Sequence, residues 1–182
     1  ELNLEFNEKE VIKTEVKDEK DFNNFELGKY ATILDNDELE NWKKRIIEKG
    51  YVAIDTETDS LNAVEAKLIG FSLAIDVNEA CYVPLKHDNT NKQINFDDAI
   101  EFLKSINEDS SILKIFHNKK YDALVLDKYN IKVNSYDDTM LISYSLGSGA
   151  SRHNLDFLAK KYLSHSAISY KEIAGSGKNQ KS

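Results

Sequence analysis

Between Tyr51 and Leu85 three short apolar runs follow one another, at 51–54, 68–75 and 80–85, with polar residues between them and no helical period across the stretch. Runs of this length, bounded by turn-forming residues, are strand signals. With no room for crossover helices between them, the three are expected to pair as an antiparallel meander. Beyond Pro84 the period changes. Phe96, Ile100, Leu103 and Ile106 lie at helical spacing, 112–116 reads as a short buried strand, and Tyr121, Leu124, Val125 and Lys128 fall on a further helix. Two more helices are expected at 138–146 and 154–163. Antiparallel strands followed by alternating helix and strand predict an α/β fold, with a mixed central sheet flanked by helices.

Ahead of the meander, 30–34 is a strand candidate, and Asp35 with Glu38 three residues on forms a capping box that starts a helix. Leu39, Trp42, Ile46 and Ile47 are expected on its buried face, and Gly50 closes it. Residues 1–29 show no sustained period and carry nine acidic against five basic residues, half of the chain's net charge of -8. They read as a flexible acidic linker or tail, leaving 30–182 as the folded domain. The closing stretch 175–182, Gly-Ser-Gly-Lys-Asn-Gln-Lys-Ser, is turn-like and completes no element, so a domain that continues past Ser182 is expected.

Several function classes fall away on composition. With 41% hydrophobic and 31% charged residues the chain is of ordinary globular type. It has no apolar run of the roughly 18–20 residues that span a bilayer, and no basic flank followed by an apolar stretch at its start, so a cytoplasmic chain is expected. Cys81 stands alone, which excludes an internal disulfide and any zinc-type cysteine cluster. A metal ion, if used, is therefore held by oxygen. The acidic balance disfavours extensive phosphate contact, although carboxylates gathered on divalent cations would leave a working surface close to neutral.

The carboxylates supply such a pattern. Asp55 and Glu57 follow the apolar run 51–54 two residues apart, so both project from one face of the sheet. Like charges that close favour a hard cation such as Mg²⁺ or Mn²⁺; solvated carboxylates at a strand end are the plainer alternative. Asn118 and Asp122 open a helix directly after the strand at 112–116, where capping and helix-dipole roles compete with a metal role. Asp137 and Asp138 read as N-caps of the helix that follows them.

Together these segments resemble a known family. Asp55-Thr56-Glu57-Thr58-Asp59-Ser60-Leu61 and the stretch from Asn118 to Asp122 are similar to the first two motifs of the proofreading 3′-5′ exonuclease domain of bacterial DNA polymerase I, the domain of the Klenow fragment. Asp138-Thr139-Met140-Leu141, Ser151-Arg152-His153, Glu172-Ile173-Ala174-Gly175 and Gly177-Lys178-Asn179-Gln180 extend the similarity in unbroken order. The resemblance implies a ribonuclease-H-like fold and two-metal hydrolysis of the 3′-terminal phosphodiester of DNA. It implies that Asp55 bridges two Mg²⁺ or Mn²⁺ ions, that Glu57 holds the first and orients the attacking water, and that Asp122 holds the second.

The resemblance also implies DNA contacts by Leu61 against the terminal base, Tyr170 on the unpaired end, and Arg152 and Lys178 on phosphate, with Asn118 and Tyr121 supporting the site. Partners follow in the same way: a frayed or single-stranded DNA 3′ end, and a polymerase domain of the same parent chain, with the fragment itself monomeric. His117 stands where relatives often carry Gln. The family's third motif, a Tyr with an Asp four residues on, is expected after Gln180, and no Tyr-X-X-X-Asp follows there. Weak or absent nuclease activity of the 182-residue chain is the corresponding expectation. Two alternatives share the pattern: a non-catalytic exonuclease-like domain that supports a polymerase, and an RNA-trimming exonuclease.

Overall fold

The structure is a computed structural model, and it describes residues 30–88, 92–147 and 152–168. The three apolar runs become β2 (Tyr51–Thr58), β3 (Leu68–Asp76) and β4 (Glu79–Pro84), antiparallel in sequence order as their spacing requires. Before them come β1 (Tyr30–Thr32) and helix α1 (Asn36–Lys49); after them come α2 (Phe96–Asn107), β5 (Leu113–Phe116), α3 (Lys119–Asp127), β6 (Tyr136–Asp138), α4 (Thr139–Gly147) and α5 (Leu155–Leu163). The six strands form one mixed sheet in the order β1-β4-β3-β2-β5-β6, with β1, β5 and β6 each parallel to its neighbour.

Local chemistry explains the element ends. Asp35 accepts the backbone N–H of Glu38 at 3.0 Å, and Gly50 leaves α1 with φ at 73°, a left-handed conformation that a side chain would oppose. On α2, Asn95 caps through Asp97 N at 2.9 Å. The core lies between one face of the sheet and the first two helices: Leu39, Trp42 and Ile46 from α1, and Ala99, Phe102, Leu103 and Ile106 from α2, are buried with Val52, Ile54, Phe71, Leu73, Ile75 and Val83. Phe71 and Phe102 stack with ring centroids 6.0 Å apart.

Three expectations need correction. Ile47 is 53% exposed while Ile46 is fully buried, because one residue is a turn of about 100° and carries Ile47 beyond the buried arc. Asp138 lies in the short strand β6, which the acidic triplet Tyr136-Asp137-Asp138 gives no apolar alternation to announce, and α4 begins after it. Lys128 caps α3 rather than lying within it.

The opposite face of the central strands carries small and polar residues. Strand parity puts Ala53, Asp55 and Glu57 there with Gly70, Ser72, Ala74, Ala80 and Tyr82. With Ile115, Phe116, His117, Thr139 and Leu155, part of this face lines an open trench of about 370 Å³. The functional candidates therefore sit on the thinly covered side. Ile46→Ala is expected to cost about 2–5 kcal/mol, while Ile47→Ala stays within about 0.5 kcal/mol of wild type. Urea unfolding of the two variants checks the pair.

Candidate active site

Strand β2 is paired unequally along its two edges. Its pairing with β3 runs to Thr58, whereas its pairing with β5 ends at Ala53 with Ile115. Asp55 and Glu57 therefore lie inside a strand rather than at its end, but on the stretch where one edge has lost its partner. Helix α3 takes that place. Its Asp122, 3% exposed, accepts Thr56 N at 3.0 Å and Thr56 Oγ1 at 2.7 Å through a single carboxylate oxygen. A backbone N–H that would otherwise be buried without a partner is thus satisfied by a carboxylate.

The start of α3 is fixed from a third element. Asp138, 6% exposed, accepts Asn118 N at 3.1 Å and Lys119 N at 2.9 Å, and also Met140 N at 2.9 Å and Leu141 N at 3.3 Å. One carboxylate caps both α3 and α4, so the N-cap expectation for Asp138 holds and covers a second helix besides; Asp137 is exposed. Asn118 occupies the N-cap position of α3 with φ at 75° and makes no side-chain cap bond, since Asp138 performs that role. The exposed Asn118 side chain is left facing solvent.

Along α3 and just past its end, three side chains hold the 59–67 loop that follows β2. The Tyr121 hydroxyl donates to Ser60 O and also meets Thr58 Oγ1. Lys128 Nζ donates to Ala63 O at 2.9 Å and to Ala66 O, and Tyr129 Oη accepts Leu68 N at 3.1 Å. On the loop so held, Leu61 is 98% exposed. Arg152 is exposed just ahead of α5, while Tyr170 and Lys178 lie outside the described residues.

His117, assigned no role from sequence, stands beside Asp55 and lines the same trench. Thr139 Oγ1 donates to Phe116 O at 3.0 Å, so it meets His117 Nδ1, 2.8 Å away, as acceptor; the ring then carries its proton on Nδ1. Nε2 is buried without a hydrogen-bond partner in the described structure.

The electrostatics follow from partial enclosure and from one another. Burial raises Asp55, with the neighbouring His117 pulling the other way. Burial raises Glu57 too, and the Asp55 charge adds to it. Asp122 is pushed up to about 6, by burial first, against the two Thr56 bonds and with the Asp55 charge adding. Three carboxylates that resist ionisation together suit a divalent cation, and hard oxygen donors suit Mg²⁺ or Mn²⁺. Asp55 and Glu57 share one face and Asp122 stands at the adjoining edge. Among the described residues no three His, Cys, Asp or Glu side chains form a group that could hold a metal ion, so Asp55, Glu57 and Asp122 are not gathered into one metal site and would offer a cation only some of its donors.

A mixed six-stranded sheet in this order, flanked by helices, is a ribonuclease-H-like fold. The fold is shared with the Aedes aegypti Nibbler EXO domain, at TM-score 0.61 and 12% identity over 81% of this chain and 74% of that one. It is shared as well with Brucella melitensis NrnC with bound Mg²⁺, at TM-score 0.57 and 22% identity over 82% and 68%. A family model described as 3′-5′ exonuclease matches residues 30–182, and the chain belongs to that family, the exonuclease domain of DNA polymerase I. DNA polymerase I of Rhizobium leguminosarum is 44% identical over 173 residues, covering 85% of this chain and 17% of that protein. The chain thus spans about a sixth of the length of such relatives.

The raised Asp122 has a stability consequence. Between about pH 4 and 6 the folded chain binds its proton more readily than the unfolded chain, so the stabilisation is full below about pH 4 and is lost as pH rises through about 6. Asp122→Asn keeps an oxygen acceptor for both Thr56 donors and removes the charge. In metal-free buffer the variant is expected to match wild type near pH 4 and to exceed it by on the order of 1–3 kcal/mol at pH 7. Urea denaturation across the range measures the difference; a gap that does not change with pH contradicts it.

Proposed function

We propose that this domain hydrolyses the 3′-terminal phosphodiester of DNA, releasing mononucleotides, with Asp55 and Glu57 as the residues that would hold Mg²⁺ or Mn²⁺ and Asp122 contributing from the edge of β2. The observation that carries the reading is the placement of the first two carboxylates on one open face with the third bonded to the residue between them. Bound divalent cations supply a more acidic attacking water and a neutralised leaving oxygen. The chain's own residues would orient the site: Asp122 fixes the strand through Thr56, and Asp138 fixes the helix that carries Asp122.

Leu61, exposed on a loop braced by α3, would press against the terminal base. Tyr121 would act through that loop, since its hydroxyl is engaged by Ser60 and Thr58, whereas Asn118 and Arg152 are free to meet the strand directly. Tyr170 on the unpaired end and Lys178 on phosphate complete the proposed DNA contacts. Residues 1–29 would connect the domain to the rest of a parent chain that also carries a polymerase domain; that the family match starts at residue 30 and that the relatives are DNA polymerases support this. Among the described residues no helix is long and apolar enough to cross a membrane, and we place the activity in the cytoplasm, where the DNA is.

Asp55→Ala in the whole protein is expected to lower Mg²⁺-dependent removal of a mismatched primer terminus more than 100-fold, beyond the roughly 10- to 100-fold typical of outer-shell changes. Nucleotide incorporation is expected to stay nearly intact. A gel assay on a 5′-labelled mismatched primer measures both, and undiminished trimming by the variant would overturn the assignment. The 182-residue chain alone is expected to trim far more slowly, because among its described residues no three candidate ligands gather into a group that could hold a metal ion.

A further inference from the structure

The loop 59–67 that joins β2 to β3 is closed at its neck and bonded within itself. Asp59 N donates to Lys67 O at 3.2 Å, and Asp59 Oδ1 accepts Lys67 N at 2.7 Å, so one residue clamps both ends. Inside, Asn62 O accepts Glu65 N at 3.0 Å and Ala66 N at 2.8 Å, while Asn62 Oδ1 accepts Val64 N at 3.2 Å. Ala63 and Ala66 are buried, whereas Leu61 and Val64 are exposed. A loop of defined shape thus presents apolar side chains to solvent.

Internal bonds fix the loop's shape, and Lys128 fixes where it stands. From the C-cap position of α3 its ammonium donates to Ala63 O at 2.9 Å and to Ala66 O. An ammonium carries three donors and no acceptor, and such charge-assisted bonds are about twice as strong as neutral ones. The end of α3 is closed by its own backbone, Tyr129 N donating to Leu126 O and Asn130 N to Asp127 O, both at 2.9 Å. The ammonium therefore serves the loop rather than the helix. Tyr121, at the other end of α3, holds Ser60 O, and Asp122 beside it holds Thr56. One helix thus grips the loop at two points about 10 Å apart along its axis while carrying the third carboxylate.

We propose that Lys128 is a positioning residue that locks the 59–67 loop to α3, so that Leu61 meets the terminal base as a fixed wedge and parts it from the opposite strand. Ordering a loose loop at the moment of binding costs backbone entropy, whereas a loop fixed beforehand meets that cost in folding. The wedge matters where a terminal base has a partner to leave, and a single strand gains little from it. Lys128 acts through Leu61 and is assigned no contact with DNA or metal. Its effect on trimming rests on the exonuclease reading above, but its hold on the loop does not.

In the 182-residue chain, ¹⁵N and methyl ¹³C relaxation at residues 61–66 reads the loop. It is expected to be as ordered as β2 in wild type and to become mobile in Lys128→Met, which keeps the aliphatic stem and removes the donors. Lys128→Arg, which can donate to both carbonyls, is expected to restore the order. If Lys128→Met does not fold, Lys128→Gln, too short to reach both carbonyls, is read in its place with the same expectation. In the whole protein, Lys128→Met is expected to lower kcat/KM for removal of a mismatched primer terminus about tenfold. For the same primer as a single strand the loss is expected to stay below about threefold, and Lys128→Arg is expected to recover both. A merely destabilised domain would lose both in equal proportion. A loop already mobile in wild type, a loop equally ordered in wild type and Lys128→Met, or equal losses on the two substrates overturns the proposal. If Asp55→Ala leaves trimming intact, the exonuclease reading fails while the relaxation result still decides whether Lys128 holds the loop.

Discussion

The arrangement depends on how the second half of β2 is satisfied once β5 stops pairing with it. A central strand with one bare edge would leave a buried N–H at Thr56, at a cost of about 1–3 kcal/mol for an unsatisfied donor. The Asp122 carboxylate removes that cost by accepting both Thr56 N and Oγ1. Those two bonds also anchor α3, and α3 with the residues just past its end brings Tyr121, Lys128 and Tyr129 to the 59–67 loop. A continued β5 would have satisfied Thr56 equally well, but it would have put a strand in the place of the helix that carries Asp122.

This solution works against stability in one respect. Asp122 performs a structural task with a group whose charge is opposed by its own burial and by the Asp55 charge, and Asp55 and Glu57 are raised by partial burial as well. An asparagine at position 122 would bond Thr56 without that opposition. The charge is therefore unexplained by packing, and strained electrostatics of this kind are common at functional sites. Asp138 makes the contrast clear. It is buried to a similar degree but accepts four backbone N–H groups at two helix starts. Two buried acids of the same residue type thus have separate structural tasks, one closing two helix caps and the other satisfying the bare edge of β2 at Thr56.

What the sequence made legible was local. The meander, α1 with its Asp35 cap and Gly50 closure, and the shared face of Asp55 and Glu57 all follow from periods of 2.0 and 3.6 and from capping chemistry. The family resemblance was carried by short motifs and matches the family model over 30–182. What could not be read depends on residues far apart in the chain. The parallel pairing of β1 with β4 spans the whole of α1, β2 and β3. The Asp122 bond to Thr56 spans 66 residues, and nothing in the Asn118–Asp122 segment names its partner. His117 carried no signal because an isolated imidazole gains meaning only from Thr139 on one side and Asp55 on the other. Lys114 gave no signal of its own in the run that reads as a buried strand, yet it is fully buried there with Nζ donating to Asp109 O at 2.6 Å and Ile112 O at 2.7 Å.

The two faces of the sheet divide stability from function. On the α1 and α2 side large side chains interlock, and a change of one methylene is felt. On the other side the same strands carry Ala53, Gly70, Ser72, Ala74 and Ala80, residues too small to close the surface themselves. Small residues there keep the backbone of β2 and β3 accessible, so that carboxylates only two residues apart stand clear of their neighbours and a long side chain such as Tyr82 can lie across the sheet. Filling that face with leucines would bury more apolar area, at about 25 cal/mol per Å², and would cover Asp55 and Glu57. The domain draws its stability from one face, which leaves the other free to hold charges that packing alone would not tolerate.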